Sequence, residues 1–550
     1  MSSGRGPEPP SPPGAAGEGA GPAGAPPAGG DPGPEAGPPS VGRSALSVGG
    51  GILLSRVSGF ARDVVIGAFF GTGVAASAYN AALKVPNLVR HLLGEGTLSA
   101  SFVPVYSDLL EEDPRAARAL AREVLGVVIA LAGVLSALGV LAAPLLTRAV
   151  VPGPGWGAEA VALTTSLVRI LFPMAGIMVL AAWALGVLNS HRRFFLPFAA
   201  PVLWNLAQIG GLFLGEWAGW EPLVAVLAWS TLAGSVLQLG VQLPAVARRV
   251  GRLRPSWSWS GSRLRTVVSN ALPVISSQGV FQVSSLVDVM LASFLPTAAV
   301  AGLYYAQRLA YLPLSLFGVS VATASLPEMS RDTAAPALRA RLRNGFFQIL
   351  WFVLPSSVAL ILFGDLITAL LFQRGEFGAG STALVAAILL AYGLGLVATS
   401  SVKLFASGFH AMQDTLTPLK YTAASVGLGV GTGAALMFWL RGQGMGAVSV
   451  AGLIAGGAVG GWTNLVLLWR GLRREIGALF GRAELIRTVR IGAAAAAAGA
   501  AGHLARGWLA ARIPPDDLVG RAAVLAGTLL AAGVPYLLVA GRPPAEIGDG

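Results

Sequence analysis

Charge sits inside an apolar stretch in Ser55-Arg56-Val-Ser-Gly59-Phe-Ala-Arg62-Asp63. At about 100° per residue, Ser55, Arg56, Gly59, Arg62 and Asp63 fall within an arc of about 120°, one face of a helix. Two further apolar stretches carry charge in the same way: Lys84, Arg90 and Glu95 in one, and Arg308 within Tyr304-Tyr-Ala-Gln-Arg-Leu in the other. A charge at the centre of a bilayer costs about 2.5–3.5 kcal/mol even on lenient scales, so these groups are expected to line a hydrated interior. Internal ion pairing or snorkelling to an interface is the alternative. The arithmetic opposes it, because Arg56, Arg62, Lys84, Arg90 and Arg308 outnumber Asp63 and Glu95. Surplus cations need an anion, and the planar guanidinium fork matches phosphate. The pattern therefore predicts a site for a phosphate or pyrophosphate group.

Other chemistry has less support. Leu93-Gly-Glu-Gly96-Thr-Leu-Ser99 interrupts a span, either as a kink or as the capped start of a half-helix whose amides bind an anion. No Gly-Lys-Ser/Thr follows, so it is not a Walker loop. Asp288 and Asp414 are read as a cation or proton site that would energise transport, with helix capping as the alternative for Asp414. His91, His191, His410 and His503 are scattered without metal-ligand spacing, and the chain has no cysteine, which excludes disulfides, thiolate metal sites and cysteine nucleophiles. No catalytic residue, metal ligand or cofactor is predicted; a coupling Na+ or H+ is the one small partner expected. Gly427, Gly429, Gly431, Gly433, Gly452 and Gly456 are expected to let helices pack closely.

The elements that must position these groups are membrane helices. Of 550 residues, 54% are hydrophobic and 12% charged, about half the charge of a soluble domain. Apolar runs of about 20 residues recur along the chain, each long enough to span a bilayer, and they lack the alternation of barrel strands. About fourteen spans are expected from Ser44 onward. Arginines concentrate in every second loop, as in 115–122, 248–265, 331–343 and 470–490, except the thinly charged loop near Lys420. By the positive-inside rule those loops and both termini are cytoplasmic, and the net charge of +12 reflects topology rather than nucleic-acid binding.

The chain also repeats. Asp63-Val-Val-Ile-Gly-Ala-Phe69 aligns with Asp288-Val-Met-Leu-Ala-Ser-Phe294, Pro104 with Pro327, and Pro197 with Pro418, at offsets of 225, 223 and 221 residues. Six spans per repeat make the halves parallel, a transporter plan with the substrate between two lobes. The expected organisation is an all-α integral membrane protein with a Pro/Gly/Ala-rich disordered tail (1–41), an N-lobe (42–255), a C-lobe (256–478) and a final hairpin (479–550).

Four motifs carry a family resemblance: Ser55-Arg56-x-x-Gly59-Phe60-Ala61-Arg62-Asp63, Lys84-Val-Pro86-Asn87-Leu-x-Arg90, Glu95-Gly96 with Ser101-Phe-Val-Pro104, and Leu188-Asn189-x-x-x-Arg193-Phe194 with Pro197. From about residue 44 to 541 the chain resembles the MurJ (MviN) lipid II flippases of the multidrug/oligosaccharidyl-lipid/polysaccharide exporter superfamily. The resemblance implies two six-helix, MATE-like lobes, a last helix pair forming a groove for a polyprenyl tail, and alternating access carrying lipid II for peptidoglycan synthesis. It implies substrate contacts at Arg56, Arg62, Arg90 and Arg308, with Ser55, Asp63 and Glu95 beside them, and places sodium ligands of a family member on Asp288 and Asp414. The chain departs from its relatives at Ser77, where many have Asp, at His91, where many have a second Arg, and at His410, where an Asn is expected. The partners implied are lipid II or a similar polyprenyl-diphosphate glycolipid and membrane lipids, with no nucleic acid, the chain acting as a monomer in the bacterial inner membrane. The nearest competing function is export of another polyprenyl-diphosphate glycan. A drug/cation antiporter would need an acidic cavity, and a membrane glycosyltransferase would need paired carboxylates on a substantial extramembrane loop.

Overall fold

A computed structural model describes residues 41–258, 261–331, 334–514 and 517–541. The expected disordered tail lies outside them except for Val41, and so does the side chain of Glu95.

The described chain is helical, with no strand. The first half holds α1 (Val41–Phe70), α2 (Val74–Ala82), α3 (Lys84–Leu93), α4 (Glu95–Glu112), α5 (Pro114–Leu141), α6 (Ala143–Val150), α7 (Ala158–Ser190), α8 (Phe195–Ala199), α9 (Pro201–Ala218) and α10 (Leu223–Val250). The second holds α11 (Ser262–Ala292), α12 (Ala298–Pro313), α13 (Ser320–Arg331), α14 (Ala335–Phe372), α15 (Ala379–Ala411), α16 (Leu416–Gly442) and α17 (Val450–Ile476). A hairpin of α18 (Arg482–Ala510) and α19 (Leu518–Ala540) follows. Among the described residues nine helical segments are long and apolar enough to cross a bilayer. That is fewer than the fourteen expected. Helices α1 and α18 are long enough in residues, but charge and polarity exclude them from the nine, while α11 contains residues whose side chains lie outside the described set. The stretch from α2 to α4 is broken at Leu83 and at Gly94.

Each half packs mainly on itself, α5 with α7 and α9 with α10 in the first, α14 with α15 and α16 with α17 in the second. Helix α11 is the exception, because it lies along α4 and α3 of the first half. The terminal hairpin rests on α14 through a pair between Arg343 and Glu484 (3.1 Å), a second pair between Arg506 and Asp365, and a hydrogen bond from Arg521 Nη1 to the Gln373 carbonyl (2.8 Å). The interface of α16 and α17 is built on small residues. A Cβ at Gly433 or Gly456 would strike backbone of the facing helix, whereas Gly427 and Gly431 have open space around them.

The halves also meet through loops at one end of the bundle. Gly71 and Gly375 both adopt φ +54°, and a Cβ on Gly71 would collide with the backbone of Glu376, one on Gly375 with the backbone of Ala68 in the last turn of α1. There the Glu376 amide donates to the Ala68 carbonyl (2.8 Å), and the hydroxyls of Thr72 and Ser381 lie 2.8 Å apart. At the same end, the Gly153 amide donates to Ser293 Oγ (2.9 Å), and Gly155 presses on the backbone of Leu295.

Candidate functional site

Helix α1 brings Arg62 and Asp63 to the boundary between the halves, and α12 brings Arg308 to the same point from the other side. Asp63 is shared. Its Oδ1 accepts from Arg62 at 2.6 Å (Nη2) and 3.1 Å (Nε), and its Oδ2 lies 3.2 Å from Arg308 Nε. The Tyr304 hydroxyl, one turn before Arg308, donates to Asp63 Oδ1 (2.9 Å) and accepts from Arg308 Nη2 (3.0 Å). The Arg308 guanidinium also lies 4.9 Å from the centroid of the Tyr304 ring. One carboxylate therefore serves two guanidiniums and leaves a net positive charge, the imbalance that the residue count implied. Side-chain exposure is 6% for Arg62 and 3% for Asp63 but 47% for Arg308. The Arg308 fork is the accessible part of the cluster, open to an incoming anion.

Helix α9 completes the surroundings of Arg62. Asn205 Oδ1 accepts from Arg62 Nη1 (3.0 Å), and the Trp204 ring lies 4.9 Å from Arg62 Cζ. Neither Trp204 nor Asn205 was singled out from sequence, and Tyr304 had no role assigned. The available signals were an amide inside an apolar span and a tyrosine one helical turn from an arginine.

The other predicted residues are placed as follows. The Ser55 carbonyl accepts from Asn205 Nδ2 (3.4 Å), next to the cluster. Arg56 is exposed on α1, about 9 Å along the axis from Arg62. Arg90 lies on α3 with Nη2 3.3 Å from His91 Nε2. The break before Glu95 ends α3 and starts α4. Gly94 takes a non-helical conformation, the Thr97 hydroxyl donates to the Leu92 carbonyl, and the Leu98 amide still reaches the Gly94 carbonyl (3.0 Å). Thr97 is thus not an N-cap; Gly94 holds that position, with no side-chain cap.

Asp288 and Asp414 are not brought together. Asp288 is four residues from the end of α11, whereas Asp414 lies in the turn from α15 to α16, at the opposite end of the bundle. Asp414 accepts from the amides of Leu416 (3.1 Å) and Thr417 (3.0 Å). The Thr417 side chain first, and then these amides, hold its carboxyl below the usual carboxylate range. It caps α16. Asp288 borders a cavity of about 280 Å³ inside the second half, together with Gln307, Tyr311, Thr399, Ser425 and Asn464. Lys84 of α3 lies within electrostatic reach of it.

Comparison with known proteins identifies the family and the fold. The family profile described as "Lipid II flippase MurJ" matches residues 66–511. A probable lipid II flippase MurJ of Rhizobium tropici is 35% identical over 446 residues, 79% of this chain and 81% of that protein. A solved lipid II flippase MurJ in an inward closed conformation superposes with a TM-score of 0.72 at 22% identity, covering 90% of this chain and 98% of that one. An inward-facing multidrug resistance MATE family transporter of the MOP superfamily gives 0.63 at 16% identity, over 79% and 98% of the two chains. The multi-pass, MATE-like helical architecture expected from the sequence is the observed one.

Proposed function

The chain belongs to the MurJ family of lipid II flippases, a family of transporters rather than enzymes, and on that premise we propose that it carries lipid II across the bacterial inner membrane by alternating access. The observation that carries the proposal is Asp63 held between Arg62 and Arg308, one guanidinium from each half of the molecule. A diphosphate brings more negative charge than one carboxylate and offers oxygens to both forks. Substrate arriving at the exposed Arg308 competes with Asp63 for the guanidiniums. It loosens the contact between α1 and α12 and supplies the differential interaction that a change of access requires. Arg56 and Arg90 extend the positive surface along the path. With the arginine-rich loops cytoplasmic, the loop contacts around Gly71 and Gly153 close the periplasmic end.

Coupling is assigned to Asp288. The carboxylate shares its cavity with the Asn464 carbonyl oxygen and the Ser425 hydroxyl, both without a hydrogen-bond partner among the described residues. Such an oxygen set suits a hard cation or a proton.

The experiment is complementation. In cells depleted of their own MurJ, the wild-type chain should restore growth, while Arg62→Ala and Arg308→Ala should not, with all three proteins present in the membrane at equal level. Full growth with either variant would contradict the reading.

A further inference from the structure

We infer that Asn205 sets the charge of the arginine cluster: its neutral amide holds Arg62 in place where a carboxylate would cancel the attraction for an anion. The inference rests on the reading of the cluster as the diphosphate site and adds a specificity-determining residue to it.

Asn205 is 3% exposed, and its partners fix which way the amide faces. Its oxygen accepts from Arg62 Nη1 (3.0 Å), and its nitrogen donates to Ser58 Oγ (2.9 Å) and to the Ser55 carbonyl (3.4 Å). A guanidinium only donates and a carbonyl only accepts, so the amide cannot be flipped. Trp204, next to it on α9, presents its ring 4.9 Å from Arg62 Cζ, and its indole N–H donates to the Thr231 carbonyl (3.0 Å), which holds the ring in place.

Helix α9 therefore grips Arg62 with two uncharged groups. Buried arginines usually take a carboxylate as partner, and Asp at 205 would be the stronger acceptor. It would also bring the carboxylates to two against two guanidiniums and abolish the surplus. Nor could it donate to Ser58 and to the Ser55 carbonyl as the amide does. The amide satisfies the geometry without spending the charge.

The test is binding of undecaprenyl diphosphate to the purified full chain, measured by native mass spectrometry and by titration over a range of salt concentrations. Wild type should bind with an affinity that falls as salt rises. Asn205→Asp should bind at least about tenfold more weakly at low salt and show a flatter salt dependence. Asn205→Leu, which keeps the net charge, should keep the wild-type salt dependence even where affinity drops. A purely structural role would move both variants alike. The double variant Asp63→Asn with Asn205→Asp returns the cluster to one carboxylate and should recover binding. It also decides the matter where Asn205→Asp alone does not fold. Wild-type affinity and salt dependence in Asn205→Asp, or a double variant as weak as the single one, would overturn the inference. Arg308→Ala separates the two levels. If wild type binds and Arg308→Ala does not while Asn205→Asp is unaffected, only the role of Asn205 fails. If Arg308→Ala binds like wild type, the diphosphate reading itself fails.

Discussion

At the scale of single residues, the Tyr304 hydroxyl shows how closely the cluster is balanced. It donates to Asp63 and accepts from Arg308, so it ties the carboxylate of one half to the guanidinium of the other. Tyr304→Phe keeps the ring under Arg308 and removes this tie together with the longer contact from Arg62 Nη2 (3.5 Å). A hydrogen bond of this kind contributes about 1 kcal/mol net, more when a charged group takes part. The expected outcome is about a fivefold change in diphosphate affinity by isothermal titration, with the protein still folded. An unchanged affinity would show that the hydroxyl does no positioning. Arg62, Asp63 and Arg308 were legible in the sequence because a charge inside an apolar span has few explanations. Trp204 and Asn205 were not legible as partners. Their contact with Arg62 spans 143 positions for Asn205, and helical periodicity reports only which face a residue occupies on its own helix.

At the scale of elements, the glycines of α16 separate into two groups that the sequence does not distinguish. Gly429 and Gly433 face α17, where a Cβ would meet the backbone of Gly456 and of Leu453. Gly427 and Gly431 point into open space. All four lie two residues apart, so a helix must turn alternate members away from the interface. The same substitution should then act in opposite directions. Gly456→Ala forces α16 and α17 apart and should destabilise by about 1–3 kcal/mol, the range for overpacking a filled interface. Gly431→Ala meets nothing and improves helix propensity, so it should be neutral or stabilising by up to about 1 kcal/mol. Thermal melting of the two variants in detergent checks this, and equal melting temperatures would refute the assignment of faces. Helix identity was readable from apolar length, whereas the interruptions were harder to read. The break at Gly94 depends on a backbone conformation and on Thr97 donating back to Leu92, and sequence alone left kink and half-helix equally open. The packing of α11 on α4 and α3 was also beyond reach. Chain order assigns α11 to the second half, while its contacts lie largely with the first.

At the scale of the whole molecule, the internal repeat reappears as pairs of contacts between the halves. The turn after α1 meets the turn between α14 and α15, and the turn after α11 meets the one between α6 and α7. Shifted by the repeat offset of about 225 residues, each contact maps onto the other. The same shift relates Asp63 to Asp288 and brings Lys84 to Arg308, at 225 and 224 residues. Asp63 pairs with Arg308 across the boundary at 3.2 Å, and Asp288 lies within electrostatic reach of Lys84. The repeat was visible in the sequence, but its cross-pairing was not, because a duplicated motif does not say which copy touches which. Alternating access requires these end contacts to open and close in each cycle. The Thr72–Ser381 contact, with hydroxyls 2.8 Å apart, gives a direct test, and a chain without native cysteine makes it clean. Thr72→Cys with Ser381→Cys places two thiols where a disulfide of ordinary geometry can form. Oxidation should cross-link the halves and stop lipid II flipping in proteoliposomes. Reductant should restore it, and each single variant should flip at the wild-type rate under both conditions. Undiminished flipping by a fully cross-linked protein would mean that this end of the molecule does not open during transport.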